Sequence, residues 1–100
     1  MLVCGDLSLP QQMCQAVHAA HESGIHLTEK SNGISSVVIC SVPDEAELLK
    51  AEYKLKMSGI RTVTFREPDL GDRATALSTE HINQAARKVL SRYPLWKGGA

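Results

Sequence analysis

The chain has no excess of charge of either sign, since eleven Lys and Arg balance eleven Asp and Glu over 100 residues. The global positive field of a nucleic-acid or membrane-surface binder is therefore missing. Aromatic residues are scarce at 4%, yet 43% hydrophobic and 22% charged residues exclude a disordered or low-complexity chain. No run approaches the roughly 18 consecutive apolar residues of a membrane span, and the N-terminus lacks the basic region and apolar run of a signal peptide. A cytoplasmic protein with no membrane partner is expected. Metal-binding CxxC and HExxH patterns, a nucleophile elbow, a P-loop and a dinucleotide fingerprint are all absent, so neither a metal nor another cofactor is expected. The three cysteines, Cys4, Cys14 and Cys40, are odd in number and have apolar neighbours, which reads as reduced, largely buried thiols. This length argues against a two-domain enzyme, and residues 1–100 are expected to form one domain.

What is present begins with a charge asymmetry. Residues 1–50 carry two basic and six acidic residues, and residues 51–100 carry nine basic and five acidic. A local basic patch can therefore exist under a neutral total. Arg61, Arg66, Arg73, Arg87, Lys88, Arg92 and Lys97 are the residues that could share such a surface.

The order of elements predicts an α/β fold with a partly parallel sheet. Met1 to Cys4 reads as the start of an inner strand, broken by Gly5-Asp6. Ser8, Pro10 and Gln11 have the spacing of a capping box that opens a helix running to Ser23, with Gly24 as its stop. Leu9, Met13, Ala16, Val17 and Ala20 recur at helical spacing and define its expected sheet-facing side. Residues 25–34 form a mostly polar connection. Ser36 to Cys40 is β-branched and continuously apolar, which predicts a central strand buried on both faces. Asp44 caps a second helix, closed by Gly59, with Leu48, Leu49, Tyr53, Leu55 and Met57 as its apolar contacts. Thr62 to Phe65 is the next strand, and the strand, helix, strand unit predicts a parallel pair joined by a right-handed crossover. A charged loop from Arg66 to Arg73 leads to a short strand, Ala74 to Leu77. An amphipathic helix over about Glu80 to Ser91 ends the pattern.

Two regions could carry chemistry. Gln11, Gln15, His18 and Glu22 form a polar stripe on the first helix, either a binding face of amides and an imidazole or simply its solvated side. Gln11 also serves the capping box. Cys14, His18 and His21 have a spacing that a metal could use, without a supporting motif. The loop, with Glu67, Asp69 and Asp72 beside Arg66 and Arg73, follows a buried strand, where open α/β sheets place ligands, although a solvated turn has the same composition. The hydroxyl of Thr75 could orient a water or contact a phosphate, and is equally commonplace in a strand.

Asp6-Leu7 before a helix, Gln15-Ala16-Val17-His18-Ala19-Ala20 within it, Val42-Pro43-Asp44-Glu45, and Phe65-Arg66-Glu67-Pro68-Asp69-Leu70-Gly71 followed by Thr75 together span nearly the whole chain. In these pieces the sequence resembles the second, archaeal/eukaryotic-type peptidyl-tRNA hydrolase family and its small bacterial relatives. The resemblance implies a mixed four-stranded sheet flanked by helices, often dimeric, that hydrolyses the ester joining a peptide to the terminal ribose of tRNA. It implies tRNA as partner and a homodimer. Carried over by position, His18, Thr75 and an acid, Asp69 or Glu67, take the catalytic roles. Gln15, Gln11, Arg66 and Arg73 are the expected substrate-binding residues. Where the family has a Lys seven residues before the His, this chain has Gln11. A non-catalytic tRNA- or RNA-binding or assembly module on the same scaffold is the alternative reading.

Overall fold

A computed structural model of the chain describes residues 1–27, 37–83 and 87–98. They form strand β1 (Leu2–Cys4), helix α1 (Leu9–His26), strand β2 (Cys40–Val42), helix α2 (Glu45–Met57), strand β3 (Thr62–Glu67), a 3-10 turn (Pro68–Leu70), strand β4 (Arg73–Thr79) and a second 3-10 turn (Lys88–Leu90). The strands make one mixed sheet in the order β2-β1-β4-β3, with β1 and β2 parallel and β4 antiparallel to both its neighbours. This is the α/β architecture expected, a partly parallel four-stranded sheet flanked by helices.

Alternation along β1 divides the core between the two faces. Leu2 and Cys4 pack with Leu48, Ala51 and Leu55, the inner stripe of α2, whereas Val3 packs with Ala19 of α1 and Ala76 of β4. The two helices therefore cover opposite faces. The α2 side carries most of the apolar burial: Leu2, Leu48, Leu55 and Leu77 are fully enclosed, each worth about 1.5–3 kcal/mol against exposure. Tyr53 and Met57 do not join them and lie exposed, because they project from the outer side of the helix whose inner stripe is Leu48, Ala51 and Leu55. Both helix starts follow the capping chemistry. Ser8 and Gln11 exchange backbone and side-chain hydrogen bonds in a complete capping box, and the Asp44 carboxylate accepts the Glu47 amide at 3.0 Å.

The inner face of α1 reverses the expectation. Val17 is 68% exposed, Leu9, Met13 and Ala20 are exposed too, and the buried positions are Gln12, Gln15 and Ala19. Periodicity assumes that amides belong in water. Here both buried glutamines find hydrogen-bond partners inside, which removes most of the cost of enclosing them. The helix also continues past Gly24 to His26, since Gly24 keeps a negative φ and does not make the left-handed turn of a glycine stop. Of residues 25–34, the first two thus belong to α1, and 28–34 lie outside the described residues.

The strand expected over 36–40 is displaced and peripheral. Only Cys40 belongs to β2, Val37 is 73% exposed, Ser36 lies outside the described residues, and β2 is a sheet edge. A continuous β-branched run satisfies a strand pattern without forming one where no neighbour pairs with it. β2 and β3 share a direction but stand at opposite edges, so the crossover through α2 spans the sheet and does not join adjacent strands. The outer edge of β2 is covered instead by the C-terminal segment: Ser41 N donates to Pro94 O at 2.9 Å and Trp96 N to Ile39 O at 2.8 Å.

The strands β3 and β4 are longer than their apolar centres suggest, and the helix expected over about Glu80 to Ser91 lies partly outside the described residues. Residues 80–83 are irregular, 84–86 lie outside the described residues, Arg87 is helical with its amide donating to Asn83 O at 3.1 Å, and Lys88–Leu90 is a 3-10 turn. Glu80 is held against the sheet end: its amide donates to Arg61 O at 3.0 Å, and its carboxylate accepts from the Arg61 amide and guanidinium. That anchoring prevents a helix from starting there. Of the cysteines, Cys4 and Cys40 are buried and free, whereas Cys14 is exposed on the outer side of α1.

Candidate functional site

The site forms where β3 ends and β4 begins, on the α1 face. The antiparallel register pairs Phe65 with Ala76 and then Arg66 with Ala74, leaving Thr75 as the extra residue of a β-bulge. A bulge re-aims a side chain that strict alternation would direct elsewhere. Ala74 accordingly packs toward α2, while Thr75 and Ala76 both turn toward α1.

Thr75 meets Gln15 there. Its Oγ1 donates to Gln15 Oε1 at 2.6 Å, and Gln15 Nε2 donates to Glu67 Oε1 at 3.3 Å. The amide orientation follows from chemistry: an ionised carboxylate only accepts, so the nitrogen faces Glu67 and the oxygen is left for the hydroxyl. Thr75 has no exposed surface and Gln15 is 3% exposed, whereas Glu67 is half-buried and open on one side. The outermost group of this relay is thus the carboxylate. One turn further along α1, the exposed ring of His18 stacks on Phe65 with centroids 4.4 Å apart and planes within 6°. The stack fixes the imidazole plane and leaves its polar edge to solvent.

The turn between β3 and β4 holds the acid in place. Gly71, at φ 66°, closes the 3-10 turn in the left-handed region, and Asp72 follows at φ 59°. This tight reversal lets the Asp72 amide donate to Glu67 O at 3.0 Å and sets Glu67 opposite Arg73 in the ladder. Asp69 sits on the exposed turn, outside the relay. Arg66 reaches back to Asp72 O at 3.3 Å. Arg73 forms an ion pair with Asp6 after β1. Burial pulls its guanidinium down, and hydrogen bonds to Asp6 and Cys4 outweigh this, holding it above the ordinary arginine value. Gln11 faces the same side of α1 as Gln15, with its Oε1 accepting from the Ser8 amide at 3.0 Å.

The structure therefore gathers Gln15, His18, Glu67 and Thr75 and leaves Gln11, Arg66, Asp69 and Arg73 around them. Sequence reasoning did not single out Phe65, Gln12 or Trp96. Trp96 Nε1 donates to Gln12 Oε1 at 2.7 Å, while Gln12 Nε2 donates to Leu7 O at 2.7 Å. The signal for Trp96 was its solitude, because a lone tryptophan near an apolar segment usually buries its ring and finds a partner for its N–H. Among the described residues no group of three His, Cys, Asp or Glu side chains is arranged to hold a metal ion, and no helix is long and apolar enough to cross a membrane.

The fold and the bulge-centred relay define the class: a small mixed-sheet α/β protein with a buried amide tying a hydroxyl to a half-open carboxylate. Comparison with protein-family models, curated proteins and solved structures returns no match.

Proposed function

We propose that this chain hydrolyses the ester bond of peptidyl-tRNA or a related acyl-tRNA. The observation that carries the reading is the Thr75–Gln15–Glu67 relay beside the stacked His18, because it joins the residues on which the family resemblance depends. Glu67 takes a proton from a water molecule as the water oxygen attacks the ester carbonyl. His18 orients the substrate through its free edge. The tetrahedral intermediate collapses by breaking the bond to the ribose oxygen, which recovers the proton, so a carboxylic acid and a free tRNA hydroxyl result. Thr75 and Gln15 are buried and act as positioning residues through Glu67. General-base assistance of this kind is worth about 10²–10⁴ in rate. A tRNA substrate puts the activity in the cytoplasm, and the homodimer implied by the same resemblance is read directly by sedimentation equilibrium.

The test is release of peptide from purified peptidyl-tRNA by the wild type and by Glu67→Gln, Asp69→Asn and Thr75→Val. Glu67→Gln loses about two orders of magnitude or more, and Asp69→Asn stays near the wild type. Equal rates in all four proteins overturn the assignment.

The second reading, a non-catalytic RNA-binding or assembly module, draws on Gln11. This residue supplies a helix cap where the resembled family supplies a cation beside an anionic substrate. It predicts salt-sensitive tRNA binding without turnover.

A further inference from the structure

A second concave region lies at the carboxyl ends of β1 and β2, a groove of about 640 Å³ bordered by Gly5, Asp6, Ser41, Pro43, Arg92 and Lys97. Its position follows from topology. β1 leads into α1 on one face and β2 into α2 on the other, so the chain leaves two parallel neighbours in opposite directions and opens a crevice between them. Open α/β sheets take ligands at this point of divergence.

The charge available in the groove is positive. Its two acids are engaged, Asp6 with Arg73 and Glu47 with Lys50 at 3.1 Å. Arg92 and Lys97 are exposed, and among the described residues neither takes part in an ion pair. They flank the half-buried Tyr93 and Trp96, and Tyr93 lines the groove. Cations interleaved with aromatic rings suit phosphates joined to bases, since the guanidinium accepts a phosphate in two hydrogen bonds and a ring offers a stacking surface.

The groove lies at the same end of the sheet as the site. Gln12 lines it, and Gln15 stands three residues on along the same side of α1. Asp6 lines it as well, paired to Arg73, which the ladder sets opposite Glu67. We propose that the groove binds the phosphates of a single-stranded nucleic-acid segment whose end reaches Glu67, with Arg92 and Lys97 as the phosphate contacts. The inference rests on the acyl-tRNA reading for the identity of the strand and on the groove for its binding.

The experiment titrates deacylated tRNA into wild type, Arg92→Gln/Lys97→Gln and Thr75→Val at several salt concentrations, with a peptide-release assay on the same proteins and adenosine monophosphate as a separate titrant. The double variant is expected to keep the wild-type melting temperature and to lose about tenfold or more in affinity at low salt. Its salt dependence becomes shallower by about two phosphate equivalents, roughly 1.4 in the logarithmic slope. Thr75→Val keeps its affinity while losing turnover. Unchanged affinity and slope in the double variant overturn the groove and leave the hydrolase reading standing. Wild type that binds through Arg92 and Lys97 but releases no peptide supports the groove and overturns the hydrolase reading. Absence of tRNA binding overturns both, and adenosine monophosphate binding as tightly as tRNA replaces the strand with a free nucleotide and overturns the proposal as stated.

Discussion

Thr75 Oγ1 lies 2.6 Å from Gln15 Oε1, inside the interface between β4 and α1, and both side chains are almost completely withdrawn from water. Removing the hydroxyl while keeping the shape isolates what that contact does. Thr75→Val leaves the amide oxygen buried and unpaired, at a cost of about 1–3 kcal/mol in urea unfolding. Thr75→Ser restores most of it. Adding Gln15→Leu to Thr75→Val costs less than the sum of the two single changes, because the orphaned oxygen is then gone. Simple additivity would show that the two side chains are not coupled.

The capping box makes Gln11 a structural residue with a chemically suggestive position. Ser8→Ala lowers stability by about 0.5–2 kcal/mol. Gln11→Ala, added to Ser8→Ala, takes away little more, since each half of the box relies on the other. Gln11→Lys probes the other role by returning a cation to the side of α1 that carries His18 and Gln15. Faster peptide release or tighter tRNA binding in Gln11→Lys is the expected result. Unchanged activity, together with the stability loss in Gln11→Ala, leaves capping as its only role.

Trp96 ties the end of the described chain to α1 through Gln12 and, through its backbone amide, to Ile39 just before β2. In Trp96→Phe the ring volume is largely kept and the indole donor lost, so the buried Gln12 Oε1 loses its partner at about 1–3 kcal/mol. Trp96→Ala costs more, because the apolar contacts of the ring go too. Differential scanning calorimetry on the two variants checks the order. Equal losses would mean that packing alone, and not the hydrogen bond, accounts for the contribution of Trp96.

The elements legible in the sequence are those whose signals are local. Ser8 with Gln11 and Asp44 with the Glu47 amide mark helix starts within four residues, and both caps form. Signals that depend on a partner across the fold misled. The apolar run at 36–40 is a strand only at Cys40, since pairing with β1 begins there. The side of α1 bearing Leu9, Met13 and Val17 faces outward because Gln12 and Gln15 have partners on Leu7, Trp96, Thr75 and Glu67, none nearer than five residues. The site itself was half legible. Gln15, His18 and Thr75 were identifiable by residue type, but the choice between Glu67 and Asp69 depends on a turn and a bulge that no periodicity encodes.

Cys4 provides a pH-dependent measure of the same core. Its thiol is enclosed beneath β4, with Sγ donating to Ala74 O at 3.7 Å, and burial pushes its pKa above the ordinary thiol value, a hydrogen bond with Arg73 opposing this only in part. In the unfolded chain the thiol ionises at its usual pKa of about 8.5. The folded protein holds the proton to higher pH, so the unfolded state gives up protons first. The stability associated with the neutral buried thiol is fully present below about pH 8.5 and is lost as pH rises through the folded-state pKa. Urea unfolding under reducing conditions between about pH 7.5 and 10 should therefore show a declining midpoint, and Cys4→Ala should have a flatter decline whatever its absolute stability. Parallel declines in the two proteins would assign the alkaline loss to other groups and contradict a buried, proton-retaining Cys4.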